Sequence, residues 1–190
     1  ASPLDSLFIL SETEGWACGG NGALVHTIDG GETWIAQESS VPYSNGMPEP
    51  IWDIHFVDAN QGLAAAEFGV VLRTTDGGKT WAPLAPRPVS AKLNGVHQIN
   101  SQKAWIVGDY GTILHSTTGG KSWEIVSSSS HLTRIHFLGD DLGWAISMAG
   151  AVLHTSDGGQ TWNPQNSGNV FQLFGIAFVN PSLGYIVGSN

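Results

Sequence analysis

One octapeptide, returning down the chain, constrains the fold more than any other feature. It reads Thr-x-Asp-Gly-Gly-x-Thr-Trp at residues 27–34 and returns at 74–81, 116–123 and 155–162, with Thr118 in place of the aspartate and Ser116 and Ser122 in place of the threonines in the third copy. Its tryptophans, Trp34, Trp81, Trp123 and Trp162, fall at steps of 47, 42 and 39 residues. A period of that length signals one supersecondary unit copied in tandem, each copy too small to bury its apolar surface alone.

A second signature precedes each box: Gly15-Trp16, Gly62-Leu63, Ala104-Trp105, Gly143-Trp144 and Gly184-Tyr185, five copies in all. Ahead of each lies a short apolar run, at 7–10, 54–57, 96–99, 135–138 and 176–179. Gly22, Gly69, Gly111 and Gly150 punctuate matching places, where a tight hairpin needs positive φ. Helical periodicity is not sustained anywhere. Each unit therefore reads as four short strands, which is the blade of a β-propeller. The expectation is an all-β chain of four-stranded antiparallel blades in one domain spanning 1–190. Complete blades fall near 4–40, 51–86, 93–128 and 132–166, with a partial fifth at 173–190. An open half blade exposes sheet edges, so further residues are expected after Asn190. The start, Ala1-Ser2-Pro3, reads either as a mature end left by signal cleavage or as an arbitrary edge.

The box is a turn with a mechanism. The carboxylates of Asp29, Asp76 and Asp157 can accept backbone N–H bonds from residues further along. The Gly pair permits conformations that a Cβ forbids. The tryptophan covers the turn and pins it to the blade. Each residue thus has a folding role, and Thr118 should keep the turn with less local stability.

These residues resemble the BNR or Asp-box of sialidases, sortilin-type receptors and xyloglucan-degrading enzymes. The whole unit is most similar to the photosystem II stability/assembly factor family, over almost the entire chain. The resemblance implies a seven-bladed propeller that binds protein partners outside the cytoplasm. Seven blades need roughly 300 residues at this spacing. Family members also carry an arginine-rich patch. Here Arg73, Arg87 and Arg134 fall in different blades, so the fold and the general role of partner binding transfer, and no specific binding residue does.

Charge narrows the partners. Sixteen acidic residues against seven Lys and Arg give a net charge of -9, which argues against nucleic acid and against an anionic membrane surface. No apolar run is long enough for a membrane-spanning helix. The lone Cys18 reads as a small buried hydrophobe. No cofactor is expected.

Histidines recur in register. His55, His97 and His136 share a place in strand one and are candidates for a metal or anion site, read first as packing residues, with Asp53 the one nearby carboxylate. His26, His115 and His154 share a place in strand three and should pack against neighbouring blades with ring N–H groups on backbone. The linkers at 39–50 and 83–92, carrying Tyr43, Met47, Arg87 and Lys92, are the irregular stretches and, with Tyr110, the candidate partner-binding loops. The leading functional reading is a noncatalytic protein-binding or scaffold propeller, extracytoplasmic, in assembly or stability of a larger complex. The alternative is a carbohydrate-active propeller or glycan-binding module, with Tyr43, Trp52 and Tyr110 stacking on sugars. A sialidase would need an arginine triad and a Tyr–Glu pair, and Tyr43, Tyr110 and Tyr185 have no evident Glu partner.

Overall fold

Val, Ile, Phe and Trp at these spacings suit a pleated, buried surface, and they form strands throughout. The computed structural model describes residues 2–168 and 172–189; Ala1 and Asn190, the bounds of the expected domain, lie outside the described residues. Strands β1 (Leu4–Ile9), β2 (Gly15–Gly19), β3 (Leu24–Thr27) and β4 (Ile35–Ala36) form the first antiparallel sheet. A short hairpin follows, β5 (Tyr43–Ser44) with β6 (Met47–Pro48). The second sheet is β7 (Ile51–Phe56), β8 (Gly62–Ala66), β9 (Val71–Thr74) and β10 (Ala82–Pro83). The third is β11 (Leu93–Gln98), β12 (Ala104–Gly108), β13 (Thr112–Ser116) and β14 (Glu124–Ser127), and the fourth β15 (Arg134–Leu138), β16 (Leu142–Ile146), β17 (Val152–Thr155) and β18 (Asn163–Gln165). Strands β19 (Gln172–Asn180) and β20 (Leu183–Ser189) pair as the partial fifth. In each four-stranded sheet spatial order follows chain order, the meander of a propeller blade. No helix among the described residues is long and apolar enough to cross a membrane.

The chain divides into two compact units, Ala1–Leu93 and Asn94–Asn190. In the first, Trp16, Cys18, Ile54, Phe56 and Leu72 share one core. In the second, Trp105, Leu132, Phe137 and Leu153 form one cluster and Trp144, Ile146 and Leu173 another. Strands β2, β8 and β12 are buried at every position; each is an inner strand of small and apolar residues, hydrogen-bonded to a neighbour on either side. The short outer strands β4, β10 and β18 are exposed instead.

Neighbouring sheets within a unit are joined by a repeated aromatic stack. Trp16 lies face to face with Phe56, ring centroids 3.7 Å apart, and stacks also on His26 at 4.4 Å. Phe56 meets the edge of Trp81 at 5.7 Å. The second unit repeats this with Trp105 on Phe137 at 3.7 Å, His115 at 4.8 Å and Trp162 edge-on to Phe137 at 5.9 Å. Trp144 and Phe178 repeat the 3.7 Å stack once more. The indole N–H groups of Trp16 and Trp105 donate to the box carbonyls of Gly77 and Gly158, at 3.3 and 3.1 Å.

Two expectations need correction. The stretch at 39–50 is no plain linker: Asn45 and Gly46, at φ 53° and 80°, turn the β5–β6 hairpin, the type I′ geometry that Asn-Gly favours. The strand-three histidines lie against the tryptophan of the adjacent strand in their own sheet, Trp16–His26 and Trp105–His115 stacked and Trp144–His154 tilted at 39°. Period-two alternation puts both rings on one face. His26 also bonds the Glu14 carboxylate at 3.2 Å, not a backbone group.

Candidate functional site

The boxes close as the residue types require. Thr33 N–H donates to Asp29 Oδ1 at 2.9 Å, Thr27 Oγ1 to the same oxygen at 2.7 Å, and Gly31 N–H to Thr27 Oγ1 at 2.9 Å. Asp76 and Asp157 repeat the pattern with Thr80 and Thr161. The Thr33 and Thr161 hydroxyl and backbone donors hold the carboxyls of Asp29 and Asp157 down to about 2, and Thr80 lowers Asp76 in the same way. In the third box Ser122 N–H donates to Thr118 Oγ1 at 2.9 Å, so the turn survives with one oxygen where the others have two. All of these oxygens are occupied in holding turns. Trp81 is buried and Trp123 and Trp162 are half-buried, whereas Trp34 is exposed and packs over Gly31 of its own turn.

The strand-one histidines pack by ring contact. His55 sits 4.5 Å from Phe8, and His97 5.1 Å from His136. Burial lowers the pKa of His136. Asp53 accepts a hydrogen bond from the Ser6 hydroxyl. No group of three or more His, Cys, Asp or Glu suited to a metal occurs among the described residues.

The turns between second and third strands share one geometry in the first three sheets, with Tyr110 and Gly111 in the second unit placed as Phe68 and Gly69 are in the first. Type I′ turns need positive φ at both central residues. The β2–β3 turn supplies Asn21 and Gly22, at 54° and 65°. The β8–β9 turn puts Phe68 there, at φ 51°, with Gly69 at 74°. A bulky side chain in that region is a genuine outlier, and Phe68 is 46% exposed. The linker at 83–92 folds over this turn: Arg87 Nη1 donates to the Phe68 carbonyl at 3.0 Å.

Phe68, Met47, Asn21, Glu49 and Glu67 line a groove of about 370 Å³ between this turn and the β5–β6 hairpin. Tyr43 stands exposed on the hairpin and borders a second hollow of about 410 Å³ with Gln37 and Val41. Glu49 is only 4% exposed, and its Oε2 is buried without a hydrogen-bond partner. Burial raises its pKa, Arg87 opposes the shift and Glu67 adds to it. Trp52 Nε1 donates to Glu67 Oε2 at 2.9 Å, and Lys92 Nζ sits 3.4 Å over the Trp52 ring.

Four of the five loop residues singled out in the sequence, Tyr43, Met47, Arg87 and Lys92, thus lie in this unit. Trp52 cannot offer both faces to a sugar, because Lys92 covers one. Tyr110 belongs to the second unit, at φ 56° and 80% exposed, its ring 5.3 Å from His131. Sequence reasoning missed Phe68, Glu49 and Glu67. The signal for Phe68 was available: a large aromatic before a turn glycine, where the first repeat has asparagine.

Residues 44–170 match the family described as Photosynthesis system II assembly factor YCF48. No curated protein matches the sequence. Among solved structures, YCF48 bound to a D1 peptide is similar at 18% identity and TM-score 0.58, over 99% of this chain and 91% of that one. YCF48 from Cyanidioschyzon merolae is similar at 16% identity and TM-score 0.55, over 99% and 93%. An ancestral GH74 enzyme reaches TM-score 0.70 at 15% identity, over 94% of this chain but 26% of the enzyme. At these identities the solved structures speak for the propeller fold. The family match covers more than half of the sequence, and the chain belongs to the Photosynthesis system II assembly factor YCF48 family.

Proposed function

We propose that this chain is a noncatalytic, partner-binding propeller of the assembly-factor type, acting outside the cytoplasm. An extended segment of its protein partner docks along the groove between the β5–β6 hairpin and the β8–β9 turn. The observation that carries this reading is Phe68, a large aromatic held exposed in a backbone region that disfavours it. Strain of this kind persists where the surroundings over-determine it, and it clusters at ligand clamps. Exposed Met47 beside it suits an adaptable apolar contact. The related YCF48 bound to a D1 peptide supports a peptide as the kind of ligand.

One observation favours carbohydrate chemistry. Glu49 and Glu67 line the same groove and Glu49 has a raised pKa, as a general acid would. Against it, Glu67 already accepts the Trp52 indole N–H, so the groove lacks the pair of uncommitted carboxyls, one acid and one base or nucleophile, that glycoside hydrolysis uses.

Overlapping peptides tiled across D1 and across unrelated soluble proteins, probed with the chain and with its Phe68→Ala variant, test the proposal. Wild type should bind a small subset and the variant should lose it. A blank array, or hydrolysis of a sialoside or xyloglucan oligosaccharide by the chain, would overturn the reading.

A further inference from the structure

An apolar clamp alone does not need a buried acid, yet Glu49 is placed in the wall of this groove. An ionised carboxylate taken out of water is costly unless it is paired. Its Oε2 has no hydrogen-bond partner. Among the described residues lining the groove there are two carboxylates, Glu49 and Glu67, and no Lys, Arg or His. Of the two nearby cations, Arg87 is hydrogen-bonded to the Phe68 carbonyl and its charge offsets the cost at Glu49 only in part, and Lys92 lies on the face of Trp52.

Within the peptide-binding reading, we infer that the groove takes an arginine or lysine side chain from a basic segment of the partner, its stem between Met47 and Phe68 and its head against Glu49 and Glu67. Long basic side chains combine an apolar stem with a charged tip, and the groove offers these two surfaces. Its volume of about 370 Å³ falls in the range of about 300–1,000 Å³ typical of small-ligand sites. The net charge of -9 favours encounter with a basic segment over an acidic one. Burial keeps Glu49 inclined to hold its proton while the groove is empty. An arriving cation adds to the counter-charge of Arg87, and the proton leaves to solvent.

The chain has two methionines, so its methyl spectrum tests the inference directly. Met47 lines the groove, and Met148, exposed in the second unit, is an internal control. The probe is a blocked glycine–serine hexapeptide with two central arginines, titrated into ¹³C-methyl-methionine protein. Matched peptides carry glutamine or glutamate instead. The Met47 methyl should shift saturably with the arginine peptide alone, and Met148 should stay in place. Glu49→Gln should weaken binding by about five-fold or more, as loss of a charged partner implies, and Glu67→Gln should weaken it as well. Unchanged Met148 position and unfolding temperature show that the variants are folded. Equal shifts from arginine and glutamine peptides, or unchanged affinity in both variants, would refute the cation assignment while leaving a peptide-binding groove. A Met47 methyl that no peptide moves would refute the inference outright, and the peptide array would then decide the broader reading by itself.

Discussion

The ring of Phe56 occupies the space where Gly62 would carry a side chain: a Cβ at Gly62 would lie 2.7 Å from two of its ring carbons. The two residues are directly paired across β7 and β8. The ring cannot swing away, because Trp16 covers it at 3.7 Å. Gly143 under Phe137 and Gly184 under Phe178 repeat the arrangement. In the first repeat Ile9 fills the same space against Gly15, and in the third Gln98 stands at the Phe position and Ala104 at the Gly position, so the third repeat alone among the five accepts a Cβ there.

Gly62→Ala and Gly143→Ala should each destabilise their unit by about 1–3 kcal/mol, the usual cost of forcing extra volume into a packed core. Ala104→Gly should cost no more than about 1 kcal/mol, through backbone entropy alone. Urea midpoints of the three variants check the ordering. A Gly62→Ala protein that unfolds at the wild-type midpoint would contradict it.

The Trp105 indole separates two contributions. Trp105→Phe should keep most of the stack on Phe137 and lose the 3.1 Å bond to the Gly158 carbonyl, at a cost near 1 kcal/mol. Trp105→Ala should lose both, at about 3–5 kcal/mol. Amide exchange in the fourth box should accelerate in both variants. Unaltered exchange there would show that the neighbouring blade does not hold that turn.

Acid should act on three boxes and not on the third. The carboxyls of Asp29 and Asp157 fall from an ordinary 3.8 to about 2 on folding, and Asp76 is lowered too. A folded-state pKa below the unfolded one contributes stability that is present above the unfolded value. That contribution is lost as pH falls through about 4 toward 2. Thr118 does not titrate. Thr118→Asp should therefore raise the unfolding temperature at pH 7, with the gain shrinking as pH falls and gone near pH 2. A gain independent of pH would mean that the carboxylate does not act through these hydrogen bonds.

What the sequence disclosed and what it withheld follow from repetition. The box and the Gly-Trp step are written four and five times, so chance resemblance is excluded and the strands between them are legible. The β5–β6 hairpin occurs once, inside a linker, and its Asn45-Gly46 signal had no second copy to support it. The histidines were legible as a register but not as a direction: alternation says that His26 and Trp16 share a face and does not say which ring lies beside which. Buried Glu49 had no sequence signal, since burial of a lone acid depends on how a loop folds over it. Phe68 was legible in principle, because turn chemistry asks for asparagine or glycine where it stands.

That conflict supplies a further test. Asn21 occupies in the first repeat the place Phe68 takes in the second, both at positive φ, and asparagine tolerates this region far better than phenylalanine. Phe68→Asn should therefore leave the unfolding temperature unchanged or higher, the relief of strain offsetting the loss of a half-exposed ring. Peptide binding should fall sharply, because the apolar wall opposite Met47 is gone. Stability retained while binding is lost is the pattern of a residue kept for recognition. Calorimetry and peptide titration on the same variant measure both. A marked fall in unfolding temperature would instead make Phe68 a packing residue, and the clamp assigned to it would have to be given up.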